Sequence, residues 1–347
     1  QCFVLKPLLF LHQNLYHPKQ GSSKFKTSKN GAQQTGNYSL QSGNFYIWFF
    51  KYTDKNGLHI EWQKVRNRYV SDFDLKNKST GGQERYDDNG LFKYWFRGVE
   101  KFCPWVNKIH LVTWGHLPSW LDVNNPKLHI VNHCDFMPNE YLPTFNSAPL
   151  SLNFHRIKGL SEQFIYVNDD MYFVSDTPST LFFKKGLPCD MGVQDIVETY
   201  NYHDTYYYTF INDIALLNHL VNKHSCMQKH PFKWFNLKYG IKNNIRNLCL
   251  KPFKLFTGIY EPHIPAAYLK STYETVWSMV YDELDSSSKI KVSSSELFNI
   301  SIMFFNLSGR AVGSGRLISP NWLSKGLSKS RKYIKNVILV FSSLMDL

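Results

Sequence analysis

Cysteine is scarce and scattered. The six residues Cys2, Cys103, Cys134, Cys189, Cys226 and Cys249 include no C-x-x-C pair, which argues against a zinc module or a disulfide scaffold and fits a reducing compartment. Long apolar runs are missing too: none reaches the ~18–20 residues needed to span a bilayer. The apolar stretch 2–11 is interrupted by Lys6 and Pro7 and lacks a small-residue cleavage site, so it makes a poor signal peptide. The chain starts at Gln1 rather than Met, so a missing natural N-terminus is expected. Acidic residues are few, 27 against 40 Lys and Arg, and the net charge of +13 asks for an anionic partner. The lysines are spread over most of the chain without a DNA- or RNA-reading motif. Phosphate-bearing substrates and a membrane surface therefore outweigh nucleic acid. No internal repeat stands out.

What is present is apolar and aromatic. The 347 residues are 43% hydrophobic and 16% aromatic, enough for a large core and against a disordered chain. Residues 17–43 are rich in Gly, Ser, Gln, Asn and Lys, and 1–43 is read as a flexible segment. Order is expected from the aromatic run 45–50, a strand, followed by a turn with Asp54 and a short helix over 60–70. Apolar positions Leu91, Tyr94, Trp95, Val99 and Phe102 recur at helical spacing. Strands are expected over 108–113, 127–131 and 164–167. Strands alternating with helices indicate an α/β fold with a largely parallel sheet over 44–188. Beyond Pro188 the pattern turns helical, with helices expected near 205–223, 266–284, 294–307 and 324–342, so 189–347 is read as a helical half completing one catalytic domain.

The chemistry concentrates in Asn168-Asp169-Asp170, after the apolar run 164–167. Two neighbouring carboxylates repel each other, and a divalent cation relieves the repulsion. Mg²⁺ is usually held by one or two carboxylates together with substrate phosphate oxygens, and strand ends border the ligand crevice of open α/β sheets. The rival reading is a polar turn in which one Asp caps the next element. Arg85, Arg97 and His155-Arg156 could meet phosphate. The turn 142–147 ends in Asn146 and Ser147, small polar side chains suited to sugar hydroxyls. His133 carries the same ambiguity as His155. His263 sits between Pro262 and Pro265, a stiff setting that suits a general base.

The span from Arg85-Tyr86-Asp87-Asp88-Asn89-Gly90 through Pro104-Trp105, Ile109–Thr113, Leu117–Leu121, Asn132-His133, Leu142–Ser147, His155-Arg156-Ile157 and Phe164–Asp170 resembles the second block of the Stealth family. His263-Ile264-Pro265 and the following helix resemble the third block. The resemblance covers most of 45–316. It implies a Rossmann-like fold of the nucleotide-sugar transferase type. It also implies transfer of a hexose-1-phosphate from a nucleoside-diphosphate sugar to a sugar hydroxyl in capsular or exopolysaccharide synthesis, with release of the nucleoside monophosphate. By that likeness Asp169 and Asp170 hold Mg²⁺ or Mn²⁺, Arg85 and Arg156 contact phosphate, and Asn146 and Ser147 line the pocket. His263 becomes the acid/base group, and Asn168, His155 and Lys291 complete the substrate-binding set.

The likeness is uneven at three places. The first block is altered, leaving Asp54 as stand-in for its aspartate. Lys289-Ile290-Lys291 replaces an Arg-Phe-Arg-like segment. The fourth block is not visible before Leu347. Two other readings stay open: a metal-dependent glycosyltransferase releasing nucleoside diphosphate, and a non-catalytic binder of sugar nucleotide or glycan. The expected partners are a nucleotide-sugar donor and a glycan acceptor, in the cytoplasm with peripheral contact to the inner membrane face.

Overall fold

The structure is a computed structural model that describes residues 64–69, 90–198, 205–261, 264–292 and 298, together with the backbone of 43–48. Its centre is a five-stranded sheet in the order β3-β2-β1-β4-β7. The strands are β1 (Gly43–Trp48), β2 (Val106–Thr113), β3 (Leu128–Asn132), β4 (Gln163–Asn168) and β7 (Ala266–Leu269). β1 pairs in parallel with both β2 and β4, and β2 with β3. β7 closes the edge antiparallel to β4, with Tyr166 opposite Ala266 and Gln163 opposite Leu269. A separate hairpin joins β5 (Phe183–Lys184) to β6 (Leu187–Pro188).

Strands covered on both faces read as near-continuous apolar runs, and β2 is buried from Ile109 to Thr113. Side-chain alternation then sorts them between two cores. Ile109, Leu111, Ile165, Val167, Ala267 and Leu269 face helix α1 (Phe92–Phe102), which contributes Phe92, Trp95 and Val99. Val112, Phe164 and Tyr268 face the opposite way, onto helices α2 (Ser147–Leu152), α7 (Lys270–Met279) and α8 (Tyr281–Ser288). α1 lies unusually close to the backbone beneath it: a Cβ at Gly98 would come within 2.6 Å of the Phe173 carbonyl oxygen. Only glycine gives that clearance.

Between the hairpin and β7 the chain forms helices α3 (Thr205–Leu220), α4 (Lys223–Lys229), α5 (Pro231–Trp234) and α6 (Gly240–Leu250). α3, α4 and α5 share a core of their own around Leu217, Val221, Met227, Trp234, Phe256 and Ile259, and α6 is tied to it through Asn247. Asn247 is the polar centre of this unit. Its Nδ2 donates to the carbonyls of Gly192 (2.6 Å) and Trp234, and its Oδ1 accepts from the Gln194 N–H at 2.6 Å.

The helix expected over 266–284 begins as strand. Residues 266–269 pair with β4, and helix starts only at Lys270. The expected helix 205–223 ends at Leu220, and helices α4, α5 and α6 were not anticipated. The expectations for 1–42, 294–297 and 299–347 lie outside the described residues. All five cysteines among the described residues are free thiols.

Candidate active site

The four parallel strands end nearly level, because register places Trp48 opposite both Val112 and Asn168, and Thr113 opposite Asn132. The turns that leave these ends line one edge of the sheet, the edge at which α/β folds gather ligands. After β4 the Met171 N–H donates to the Asn168 carbonyl at 3.2 Å, so Asp169 and Asp170 occupy the two central positions of a β-turn. Asp169 is half-buried and Asp170 exposed. Both carboxylates lie close enough for their charges to act on the Tyr166 phenol. Burial raises the Tyr166 pKa above the ordinary tyrosine range, and the charges of Asp169, Asp170 and Glu261 push it the same way. The Asn168 Oδ1 is buried beside them without a hydrogen-bond partner.

Glu261 arrives from a distant part of the sequence. Because β7 runs antiparallel to β4 from Ala266 opposite Tyr166, the amino end of β7 lies toward the carboxyl edge of the parallel strands. Sequence reasoning passed over Glu261 because its route depends on residues 266–269 being a strand. The β4 turn itself offers hard oxygen donors, two adjacent carboxylates and an amide oxygen, and the charge of Glu261 acts on the same phenol. That chemistry fits Mg²⁺ or Mn²⁺. Among the described residues no cluster of three or more His, Cys, Asp or Glu is assembled as a metal centre, and Mg²⁺ commonly completes its shell with substrate phosphates and water.

The neighbouring turns are shaped by short polar contacts. After β2 the Thr113 hydroxyl donates to the His116 carbonyl at 2.8 Å and accepts from the Gly115 N–H at 3.2 Å. Gly115 adopts φ +119°, a conformation side chains resist. After β3 the Asn132 N–H donates to the Asp135 carboxylate at 2.6 Å. These turns carry His116 and His133 into full burial. Burial, reinforced by His116, lowers the His133 pKa to about 3, so His133 is a neutral imidazole at working pH. His116 had drawn no attention in the sequence. No periodicity marks it.

Residues 85–189 match the family model described as Stealth protein CR2, conserved region 2. The exopolysaccharide phosphotransferase cps2G of Lactiplantibacillus plantarum is 37% identical over 234 residues, 67% of this chain and 67% of that protein. The capsular polysaccharide phosphotransferase WcwK of Streptococcus pneumoniae is 35% identical over 274 residues, 78% of this chain and 79% of its own length. The receptor polysaccharide phosphotransferase WefC of Streptococcus gordonii is 36% identical over 246 residues, 71% and 73% of the two chains. The chain belongs to the Stealth family.

Several residues singled out from the sequence take up other positions in this Stealth fold. The Asn146 Oδ1 accepts from the Ala148 N–H at 2.9 Å and caps helix α2, with Ser147 half-buried in its first turn. His155 packs on Tyr273 and Trp277, and Tyr273 in turn rests on Phe164 near the start of β4. Asp169 lies five residue steps beyond Phe164, roughly 16 Å along the direction of β4. Burial lowers the His155 pKa to about 3, with Arg156 and Lys270 adding to the effect. The exposed Arg156 lays its guanidinium over the Trp277 ring at 4.8 Å. Lys291 donates from its ammonium to the carbonyls of Glu140 (2.8 Å) and Leu142 (3.2 Å). Its own carbonyl accepts from the Phe145 N–H at 2.8 Å. Lys291 therefore braces the 140–145 turn beneath α2, where Tyr141 also donates to Asp285 on α8 at 2.7 Å. Asp54, Arg85 and His263 lie outside the described residues.

Proposed function

We propose that this Stealth chain transfers a hexose-1-phosphate from a nucleoside-diphosphate sugar to a sugar hydroxyl during capsular or exopolysaccharide assembly. The chain is a transferase, and its relatives named above are polysaccharide phosphotransferases, so sugar-phosphate transfer in polysaccharide synthesis rests on family membership. The donor, the acceptor and the residue roles belong to the proposal. The observation that carries it is the Asp169-Asp170 turn at the carboxyl end of β4, within the matched region. The sheet order, with four parallel strands and the turn beside the central pair, supports a Rossmann-like nucleotide-sugar fold.

In this reading the acceptor hydroxyl oxygen attacks the phosphorus that bears the sugar, and the bond from that phosphorus to the nucleoside phosphate breaks. The nucleoside monophosphate leaves with the bonding electrons. The hydroxyl proton passes to a base, a role assigned to His263. Asp169 and Asp170 are the carboxylates that would hold the cation facing the diphosphate, and Arg85 meets the diphosphate charge. A bound Mg²⁺ or Mn²⁺ on the two aspartates would neutralise charge on the phosphate oxygens. Phosphoryl transfer is mainly positioning and charge stabilisation, which is the chemistry such a set supplies.

The test is a panel of nucleotide sugars incubated with acceptor glycan and Mg²⁺ or Mn²⁺, the released nucleotide being resolved by chromatography. Nucleoside monophosphate is expected, and Asp170→Ala should lower its release by ~100-fold while leaving the fold intact, because Asp170 is exposed. Nucleoside diphosphate in its place would identify a glycosyltransferase. An Asp170→Ala chain as active as the parent would remove the aspartate pair from the mechanism.

A further inference from the structure

From Ile214 to Tyr260 the chain contains no Asp or Glu at all, and it carries eight Lys or Arg: Lys223, Lys229, Lys233, Lys238, Lys242, Arg246, Lys251 and Lys254. Helix α6 lies within this stretch and is held firmly on one side. Asn247 and Leu250 are buried, and Arg246 pairs with Asp195 at 3.0 Å while lying over the Tyr260 ring. The opposite side points outward. Ile241, Ile245 and Leu248 recur at i, i+4 and i+7, which puts them on one stripe, and they are 80%, 54% and 60% exposed. Further exposed apolar side chains flank the helix in sequence. Phe232 and Leu237 precede it at 83% and 97% exposure, and Leu255 follows it at 53%. Asn244 fixes the preceding segment to the helix, its side chain accepting from the Asn236 N–H at 3.0 Å and donating to the Asn236 carbonyl at 2.8 Å. The exposed lysines Lys238, Lys242, Lys251 and Lys254 lie on and around the same helix.

Soluble proteins scatter exposed apolar side chains; an aliphatic row along one helix face, with more exposed apolar side chains flanking it, marks a surface that meets something. We propose that the outer face of α5 and α6 docks this chain on an anionic bilayer, with the apolar stripe inserted among the headgroups and the lysines held against the lipid phosphates. Three observations choose lipid over a protein partner. Lysine is depleted at protein interfaces, and here lysines accompany the stripe. An apolar row flanked by lysine on a helix too short to span is the pattern of interfacial membrane binding. A basic segment without a single acid matches the negative potential of anionic leaflets, where each lysine near the surface adds to binding. The ends of this chain are poor covers for the stripe: residues 301–347 contain seven Lys or Arg and only Asp346 as an acid, and residues 1–42 contain five Lys and no acid. Like charge opposes their docking on the lysines of α6. Binding at this surface does not depend on the reaction proposed above.

The experiment is flotation of the full chain with vesicles of phosphatidylcholine containing about one-third phosphatidylglycerol, against vesicles of phosphatidylcholine alone, at physiological salt. Binding to the anionic vesicles is expected, weakened by at least ~10-fold in Ile241→Asn/Leu248→Asn and in Lys238→Glu/Lys242→Glu. All four positions are exposed, so thermal melting should not change. Equal flotation of the parent and the Asn double variant would overturn the assignment of this face. So would failure of the parent to float, and a concentration-dependent dimer abolished by the same substitutions would assign the stripe to a second copy of the chain. Nucleotide release in solution, with a soluble acceptor, tests the catalytic proposal separately.

Discussion

Mild acid should destabilise this protein well before its carboxylates protonate. His110 on β2 and His133 after β3 are fully buried, and burial lowers the pKa of each from 6.5 to about 3. In the unfolded chain both return to about 6.5. Between those two values the unfolded state binds more protons than the folded state, so stability falls as pH drops below 6.5 and goes on falling toward 3. Integrating from pH 7 to pH 5 gives a loss of about 2 kcal/mol for each histidine, about 4 kcal/mol for the two, against a total stability of about 5–15 kcal/mol for a typical domain. His155 is shifted the same way and adds to the loss. The carboxylate effects lie lower: Asp285, hydrogen-bonded by Lys289 and Tyr141, has a pKa below its ordinary 3.8 and loses its contribution only as pH falls through that lowered value. Urea unfolding followed by tryptophan fluorescence at pH 7, 6 and 5 reads the slope directly. Replacing His133 by Gln, which does not titrate, should remove about half of the pH dependence assigned to the pair. An unfolding free energy at pH 5 within about 1 kcal/mol of its value at pH 7 would refute the assignment of these imidazoles as buried and neutral.

Two substitutions test the packing. Gly98→Ala places a Cβ 2.6 Å from the Phe173 carbonyl, backbone that can yield only by displacing α1, and a net destabilisation of about 2 kcal/mol is expected despite the better helix former; a thermal melt at or above the parent's would contradict it. Asn247→Ala strands the Gly192 and Trp234 carbonyls and the Gln194 N–H inside the helical unit, so urea unfolding should report a loss of about 3–5 kcal/mol.

Residues 92–102 were legible because Trp95 and Val99 fall on one helical face that is buried as the spacing requires. β4 was legible because its apolar run is buried from both faces. β7 was not: Ala266-Ala267 favours helix, and only pairing with β4 makes it a strand. α6 was opaque for a different reason. It buries an asparagine and exposes isoleucine and leucine, inverting the pattern from which a helix face is read. The Asp169-Asp170 turn followed from a strand ending in two acids. The place of Lys291 did not, because its carbonyl partners Glu140 and Leu142 lie about 150 residues earlier in the chain.

The antiparallel edge strand has a consequence for biosynthesis. When β4 has left the ribosome, all four parallel strands exist, yet the outer side of β4 has no mate until Ala266–Leu269 emerges about 100 residues later. At ordinary elongation rates that is roughly 5–20 s during which a nascent chain presents an open strand, an interval in which chaperone capture competes with misassembly. Slow-translating codons between the two strands should lengthen that window and lower the soluble yield.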